Sequence, residues 1–199
     1  MNKLIFFLIS AHLVYCQINP LDVEIVRDKF GVPHIFGKTD ADVAYGLAWA
    51  NAEDDFETIQ SVYLAGSSIL SKRLGNKGIG ADFLSQFIGS SELFDSLYEK
   101  KISPEYKKII QAYANGLNSY AKKYPEEILI SELFPITPKK MMLYAQLQLF
   151  ISSRGDYWIK KILDGDIRYE VNFSNDRGSN AFAFNLSLIH ISEPTRRYS

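Results

Sequence analysis

The chain has 199 residues, of which 47% are apolar, 14% aromatic and 23% charged, a make-up that excludes a disordered or collagen-like protein. Its formal net charge is −1, so no basic field points to nucleic acid. One cysteine and three histidines leave little room for thiol or multi-histidine metal chemistry.

Two ends read as segments outside the fold. Residues 1–16 have the pattern of a secretory signal peptide: Lys3 gives the positive start, and Leu4 to Val14 is apolar except for Ser10 and His12. The run is too short to span a membrane. Val14 and Cys16 occupy the small-residue positions before a cut at Gln17, which implies a periplasmic or secreted protein with no stable membrane span. A lipoprotein anchored through Cys16 ranks below this, because Tyr15 is bulky where a small residue is usual. Residues 186–199 begin LSLIHISEPTR, which reads as the in-frame translation of a transposon adapter used in sequencing. The expectation is a natural sequence that stops at Asn185. With both ends set aside, no cysteine remains, and His34 is the one remaining histidine.

Between the ends, the spacing predicts mostly helices. Val23 to Arg27 and Val32 to Phe36 read as a hairpin turned by Gly31, with Pro33 favouring an edge or interrupted strand. Thr39 with Asp42 predicts a capped helix. Its apolar face carries Tyr45, Trp49, Ala52, Phe56, Ile59 and Tyr63, and it ends at Gly66 or the serines after it. Three glycines over Gly75 to Gly80 predict a loop. Phe83 to Ile88 and Glu92 to Tyr98 are short helical candidates. Ser103-Pro104 opens a helix whose buried face is Tyr106, Ile109, Ile110, Tyr113, Leu117 and Tyr120, closed by Tyr124-Pro125. Thr137-Pro138 opens another, from Lys139 to about Ile151, apolar nearly all round and so expected to be covered on most sides. Ser152 to Gly155 break it, and Tyr157 to Leu163 adds a turn or two. Asp164 to Arg177 is polar and loop-like, and Asn180 to Phe184 starts a strand. A hairpin, several helices and the start of a sheet imply an incomplete α+β layered fold.

The informative chemistry lies at Gly178-Ser179-Asn180. A serine hydroxyl needs a base. An N-terminal serine carries one, its own α-amino group, with a reference pKa of about 7.7–8.0, close to working pH. Cutting the Gly178–Ser179 bond would release that amine, and a glycine before the cut leaves its carbonyl open to attack. Asn180 reads equally as a group orienting the new amine or as a polar strand start. Arg27 and Asp28 read as a turn salt bridge, and His34 as a hydrogen-bonded structural histidine. Glu53, Asp54 and Asp55 point in different directions on a helix, so a solvated or salt-bridged face is favoured over a cation site. Phe150 and Met142 are candidates for an acyl pocket, with core packing as the default.

Four blocks give these residues a context. Ile25-Val26-Arg27-Asp28-Lys29-Phe30-Gly31-Val32-Pro33-His34-Ile35 resembles the opening of the small chain of penicillin acylases. Asp42 to Phe56, DVAYGLAWANAEDDF, is similar to the helix that follows it there. Ala112 to Tyr120, AYANGLNSY, resembles a third block, and Gly178-Ser179-Asn180-Ala181-Phe182 resembles the junction at which the family's precursor cuts itself. The resemblance implies an N-terminal-nucleophile amidohydrolase with an αββα fold, present here only in part. It implies export, autoproteolysis into two chains, and hydrolysis of a linear amide such as a penicillin or an acyl-homoserine lactone. Residues 17–178 would be the small-chain region, with a possible spacer at its end, and 179–185 the start of the large chain, its partner after processing. Ser179 would be nucleophile and base, and Gly178 the carbonyl side of the self-cleaved bond. The resemblance also implies structural calcium, for which Asp156 is the small-chain candidate, and no organic cofactor. The competing reading is a secreted, non-catalytic helical binding domain that uses the apolar helix at 139–151 as its partner surface.

Overall fold

A tight antiparallel hairpin opens the chain in the computed structural model, which describes residues 22–165. Strands β1 (Glu24–Arg27) and β2 (Pro33–Phe36) pair with Ile25 opposite Ile35 and Val26 opposite His34. Gly31 turns the chain at φ +82°, a left-handed conformation that glycine adopts without a Cβ penalty. The Asp28 carboxylate braces the turn by accepting from the Phe30 and Val32 N–H groups at 2.8 and 3.0 Å. The expected hairpin is therefore present, and Pro33 sits at a strand start, as its missing N–H requires.

Helix α1 (Asp40–Gly66) begins with the expected capping box: Thr39 Oγ1 accepts from Asp42 N–H at 3.2 Å, and Asp42 accepts from Thr39 N–H at 3.0 Å. The helix breaks once, at Asp55 (φ −160°, ψ 75°), whose carboxylate accepts from Thr58 N–H at 3.0 Å and so caps the second half.

The glycine-rich stretch is a correction to the expected loop. Helix α2 (Ser71–Leu74) ends just before it, Gly75 turns the chain at φ +56°, and helix α3 (Asn76–Phe87) runs through the rest. Buried Asp82 provides the reason, because its two carboxylate oxygens accept from Leu70 and Ser71 N–H at 2.7 and 2.9 Å. A Cβ on Gly78 would stand 2.6 Å from Ser71 N, so this glycine serves close packing within a helix. Helix α4 (Ser90–Lys101) extends the expected short element at both ends.

Helix α5 (Pro104–Lys123) starts at Ser103, whose side chain accepts from Tyr106 N–H at 3.2 Å. Its buried residues run from Ile110 to Ala121. Tyr106, expected on the buried face, is 50% exposed because its turn precedes that stretch. The core joins Ala48, Ala52, Phe56, Tyr63 and Leu64 of α1 to Ala114, Leu117, Tyr120 and Ala121 of α5. Leu133 and Ile136, from the connection after α5, complete it. The small alanines let the two helix backbones come close, and the aromatic rings fill the ends (Phe56 and Tyr120 meet edge to face at 4.9 Å).

The connection 124–137 contains two single 3-10 turns, Pro125–Glu127 and Ser131–Leu133. Helix α6 (Pro138–Ser152) follows, capped by Thr137, and helix α7 (Gly155–Leu163) comes after Arg154, which sits at φ +61°. Among the described residues of α6 only Leu147 is buried, and Leu149 is 69% exposed. The cover expected on most sides of this helix is thus not provided by the described residues. The chain divides into two units, Met1–Trp158 and Ile159–Ser199. Of the second unit, residues 159–165 are described: they finish α7 and close with Gly165 N–H donating to the Ile162 carbonyl at 3.2 Å. No described helix is long and apolar enough to cross a membrane.

Candidate functional site

The Arg27 guanidinium links the hairpin to α1. Arg27 Nη2 lies 2.8 Å from Asp54 Oδ1 and 3.3 Å from Glu53 Oε2, and also donates to the Ala50 carbonyl at 3.3 Å. Its other terminal nitrogen donates to the Gly31 carbonyl at 2.9 Å. The hydrogen bond to Asp54, then the one to Glu53, raises the arginine pKa further above its usual value. Glu53 is also held by the Trp49 indole N–H at 2.8 Å. The salt-bridged reading of the acidic triplet therefore holds for Glu53 and Asp54. The expectation that they diverge does not: both reach one cation because Arg27 comes from outside the helix. Asp55 is used as the mid-helix cap.

His34 pairs with Asp28, Nε2 to Oδ2 at 3.4 Å, on the exposed side of the hairpin. Asp28 is held below the ordinary carboxylate value, first by the Phe30 N–H and then by Val32 N–H and His34. This arrangement braces a turn. His34 is thus hydrogen-bonded to the carboxylate of the turn, as expected of a structural histidine.

Met142 and Phe150 lie on α6, both half-buried, and neither belongs to the main core cluster. The Phe150 ring covers Gly155 so closely that a Cβ there would come within 2.3 Å of it. Phe150 thus packs at the α6–α7 junction. Gly178, Ser179 and Asn180 lie outside the described residues, as do the proposed signal peptide, the start of the large chain and the tail. The side chain of Asp156 likewise lies outside the described set.

No group of three or more histidine, cysteine, aspartate or glutamate side chains among the described residues could hold a metal. The acidic triplet does not fit calcium: Arg27 occupies two of its members, and Thr58 N–H the third.

Two side-chain amides, one buried and one half-buried, went unnoticed in the sequence. Gln60, wholly buried on α1, donates to the Glu127 carbonyl at 2.9 Å and accepts from Leu129 N–H at 2.8 Å. Asn118 on α5 does the same to a single residue, donating to the Ile136 carbonyl at 2.8 Å and accepting from Ile136 N–H at 2.7 Å. Each amide replaces a missing backbone partner and fixes the connection 124–137 against the two core helices. The only advance signal was that Asn118 falls inside the Ala112 to Tyr120 block.

Residues 22–186 match the family described as penicillin amidase. The chain belongs to the penicillin amidase family. The match covers the hairpin, the α1–α5 pair, α6 and α7, and continues through Gly178 and Ser179. Among curated relatives, penicillin G acylase from Escherichia coli is 25% identical over 169 residues, covering 78% of this chain and 20% of that protein. Acyl-homoserine lactone acylase QuiP from Pseudomonas fluorescens is 27% identical over 107 residues, 54% of this chain and 13% of that one. The chain therefore spans a fifth or less of the length of these relatives. Among solved structures, one titled thermostable penicillin G acylase from Alcaligenes faecalis aligns with a TM-score of 0.53 at 18% identity. That alignment covers 81% of this chain and 98% of the solved one, and likeness at this identity concerns the fold alone. The described residues within this match are mostly helical, with one small two-stranded sheet.

Proposed function

We propose that the chain is the first part of an exported, self-processing acylase precursor that hydrolyses a linear amide, penicillin-like or N-acyl, through Ser179. The observation that carries this is the family match from 22 to 186, a range that includes Gly178-Ser179-Asn180-Ala181-Phe182. The relatives named penicillin G acylase and acyl-homoserine lactone acylase support amide hydrolysis as the reaction class. The same assignment favours an acylase over a non-catalytic binding domain.

In this reading residues 1–16 direct export to the periplasm or medium, and 17–178 form the small-chain region of an αββα hydrolase fold. The large chain starts at Ser179 and stays associated with the small one. In maturation, Ser179 Oγ attacks the Gly178 carbonyl carbon, and the acyl group moves from the Ser179 nitrogen to its oxygen. Water then hydrolyses the ester, leaving a carboxylate on Gly178 and a free amine on Ser179. In turnover that amine accepts the hydroxyl proton as Oγ attacks the substrate amide. The amine product leaves with a proton, and water releases the acid from the acyl-enzyme. N–H or amide donors must face the oxyanion, and the large chain supplies them here. Met142 and Phe150 contact the acyl group, and Asp156 would be among the residues that hold structural calcium. On this reading hydrolysis belongs to the processed pair of chains, and the 199-residue chain by itself is expected to show no activity.

The test uses the precursor extended past codon 185 on the genomic DNA. N-terminal sequencing of the secreted protein should return Ser-Asn-Ala-Phe, and Ser179→Ala should leave the precursor uncut and inactive. An uncut wild-type chain that hydrolyses amides overturns the nucleophile assignment.

A further inference from the structure

Lys140 stands where a cation is not expected. It is the third residue of α6, beside the positive end of the helix dipole, where a lysine is unfavourable. It is partly buried, and burial lowers its pKa from the usual value. The nearby carboxylates are engaged elsewhere: Glu132 by Lys72 at 2.8 Å, and Asp95 by Lys139 at 2.7 Å. The Lys140 ammonium instead donates to three backbone carbonyls, those of Leu133, Pro135 (3.0 Å) and Glu132 (3.4 Å). An ammonium has three N–H donors and the loop offers three acceptors, so the match in number is complete. The loop carrying them also places Leu133 and Ile136 in the core.

We infer that the carbonyl loop of Glu132, Leu133 and Pro135 is a primary-ammonium site, filled from within the chain by Lys140, and that this occupant fixes the start of α6. The compact lysine head fits such a site, whereas a planar guanidinium presents its donors as a fork and cannot meet three convergent carbonyls. Lys140 is a positioning residue: it joins α6 to the loop that Asn118 joins to α5. The inference is independent of the acylase reading, since it concerns how α6 is seated and not what Ser179 does.

The experiment uses the full chain and reads thermal unfolding by circular dichroism. Lys140→Met keeps the stem and removes the charge, and should lower the midpoint by roughly 5 °C. Lys140→Arg should not restore it. Lys140→Ala opens the site, and propylammonium should raise its midpoint saturably, while tetramethylammonium at equal ionic strength, which has no N–H, should not. If Lys140→Ala does not fold in buffer, propylammonium is supplied during refolding and recovery of the helical signal is read instead. An unchanged midpoint in Lys140→Met, full restoration by arginine, or equal effects of the two ammonium salts overturns the proposal.

Discussion

Gly116 of α5 lies so close to Tyr45 of α1 that a Cβ built on it would stand 2.5 Å from the Tyr45 carbonyl oxygen and 2.8 Å from Ala48 Cβ. The glycine and the two residues it meets come from two of the sequence blocks that resemble penicillin acylases. Gly46, one residue after Tyr45, receives the hairpin, since a Cβ there would collide with Ile35 and Val23 at 2.6 and 2.7 Å. These blocks therefore carry the contact points at which hairpin, α1 and α5 dock.

Gly116→Ala is expected to destabilise. In an open helix the change would gain about 1 kcal/mol from propensity alone. Here the added methyl meets backbone, which cannot swing aside as a side chain does, and overpacking of this kind costs about 1–3 kcal/mol. The clash outweighs the propensity, so a urea titration should show a lower midpoint. A higher midpoint would mean that the helices separate freely.

Asn118→Leu keeps the side chain's size and removes both hydrogen bonds to Ile136, which is buried. Leaving a buried N–H and a buried carbonyl unpaired should cost about 2 kcal/mol or more. Hydrogen exchange should show Ile136 losing protection. Retained protection would show that another donor or water replaces the amide.

Arg27→Ala should act locally. Its ion pairs with Glu53 and Asp54 are exposed enough that each contributes little to global stability. The lost bond to the Ala50 carbonyl loosens the hairpin from α1, and the lost bond to the Gly31 carbonyl loosens the turn itself. Exchange at residues 24–36 should rise several-fold while the unfolding midpoint of the helices stays nearly constant. An equal loss in both regions would contradict this.

Acid should loosen the turn and the α1 kink before the helical core. Asp28 and Asp55 are both held below the ordinary value of 3.8, Asp28 first by Phe30 N–H and Asp55 first by Thr58. Each stabilises the fold above its unfolded pKa, and that contribution is lost as pH falls through the lower folded value. NMR titration of the hairpin amides should follow Asp28, and Asp28→Asn should flatten that part of the profile. A hairpin unaffected by acid would remove Asp28 from the argument.

Much of the fold was legible because its signals are local. Thr39 with Asp42, Ser103 with Pro104 and Thr137 with Pro138 mark three helix starts, since a cap and the N–H it satisfies lie within one turn. The Gly178-Ser179 junction was also read from sequence, by resemblance, and it lies outside the described residues. Other features were misread because the deciding partner is remote. Gly75 to Gly80 carries loop composition, yet Gly78 is a packing contact and Asp82 a cap for a segment twelve residues earlier.

The sequence by itself determined where most helices begin, which faces are apolar and which family's blocks the chain shares, because capping and periodicity depend on neighbours within a few residues. Tertiary structure alone decided that Glu53 and Asp54 share Arg27, that Gln60 and Asn118 hold the 124–137 connection, and that Lys140 faces carbonyls. Those groups satisfy one another's charge and hydrogen-bonding needs only after the chain has brought distant segments together.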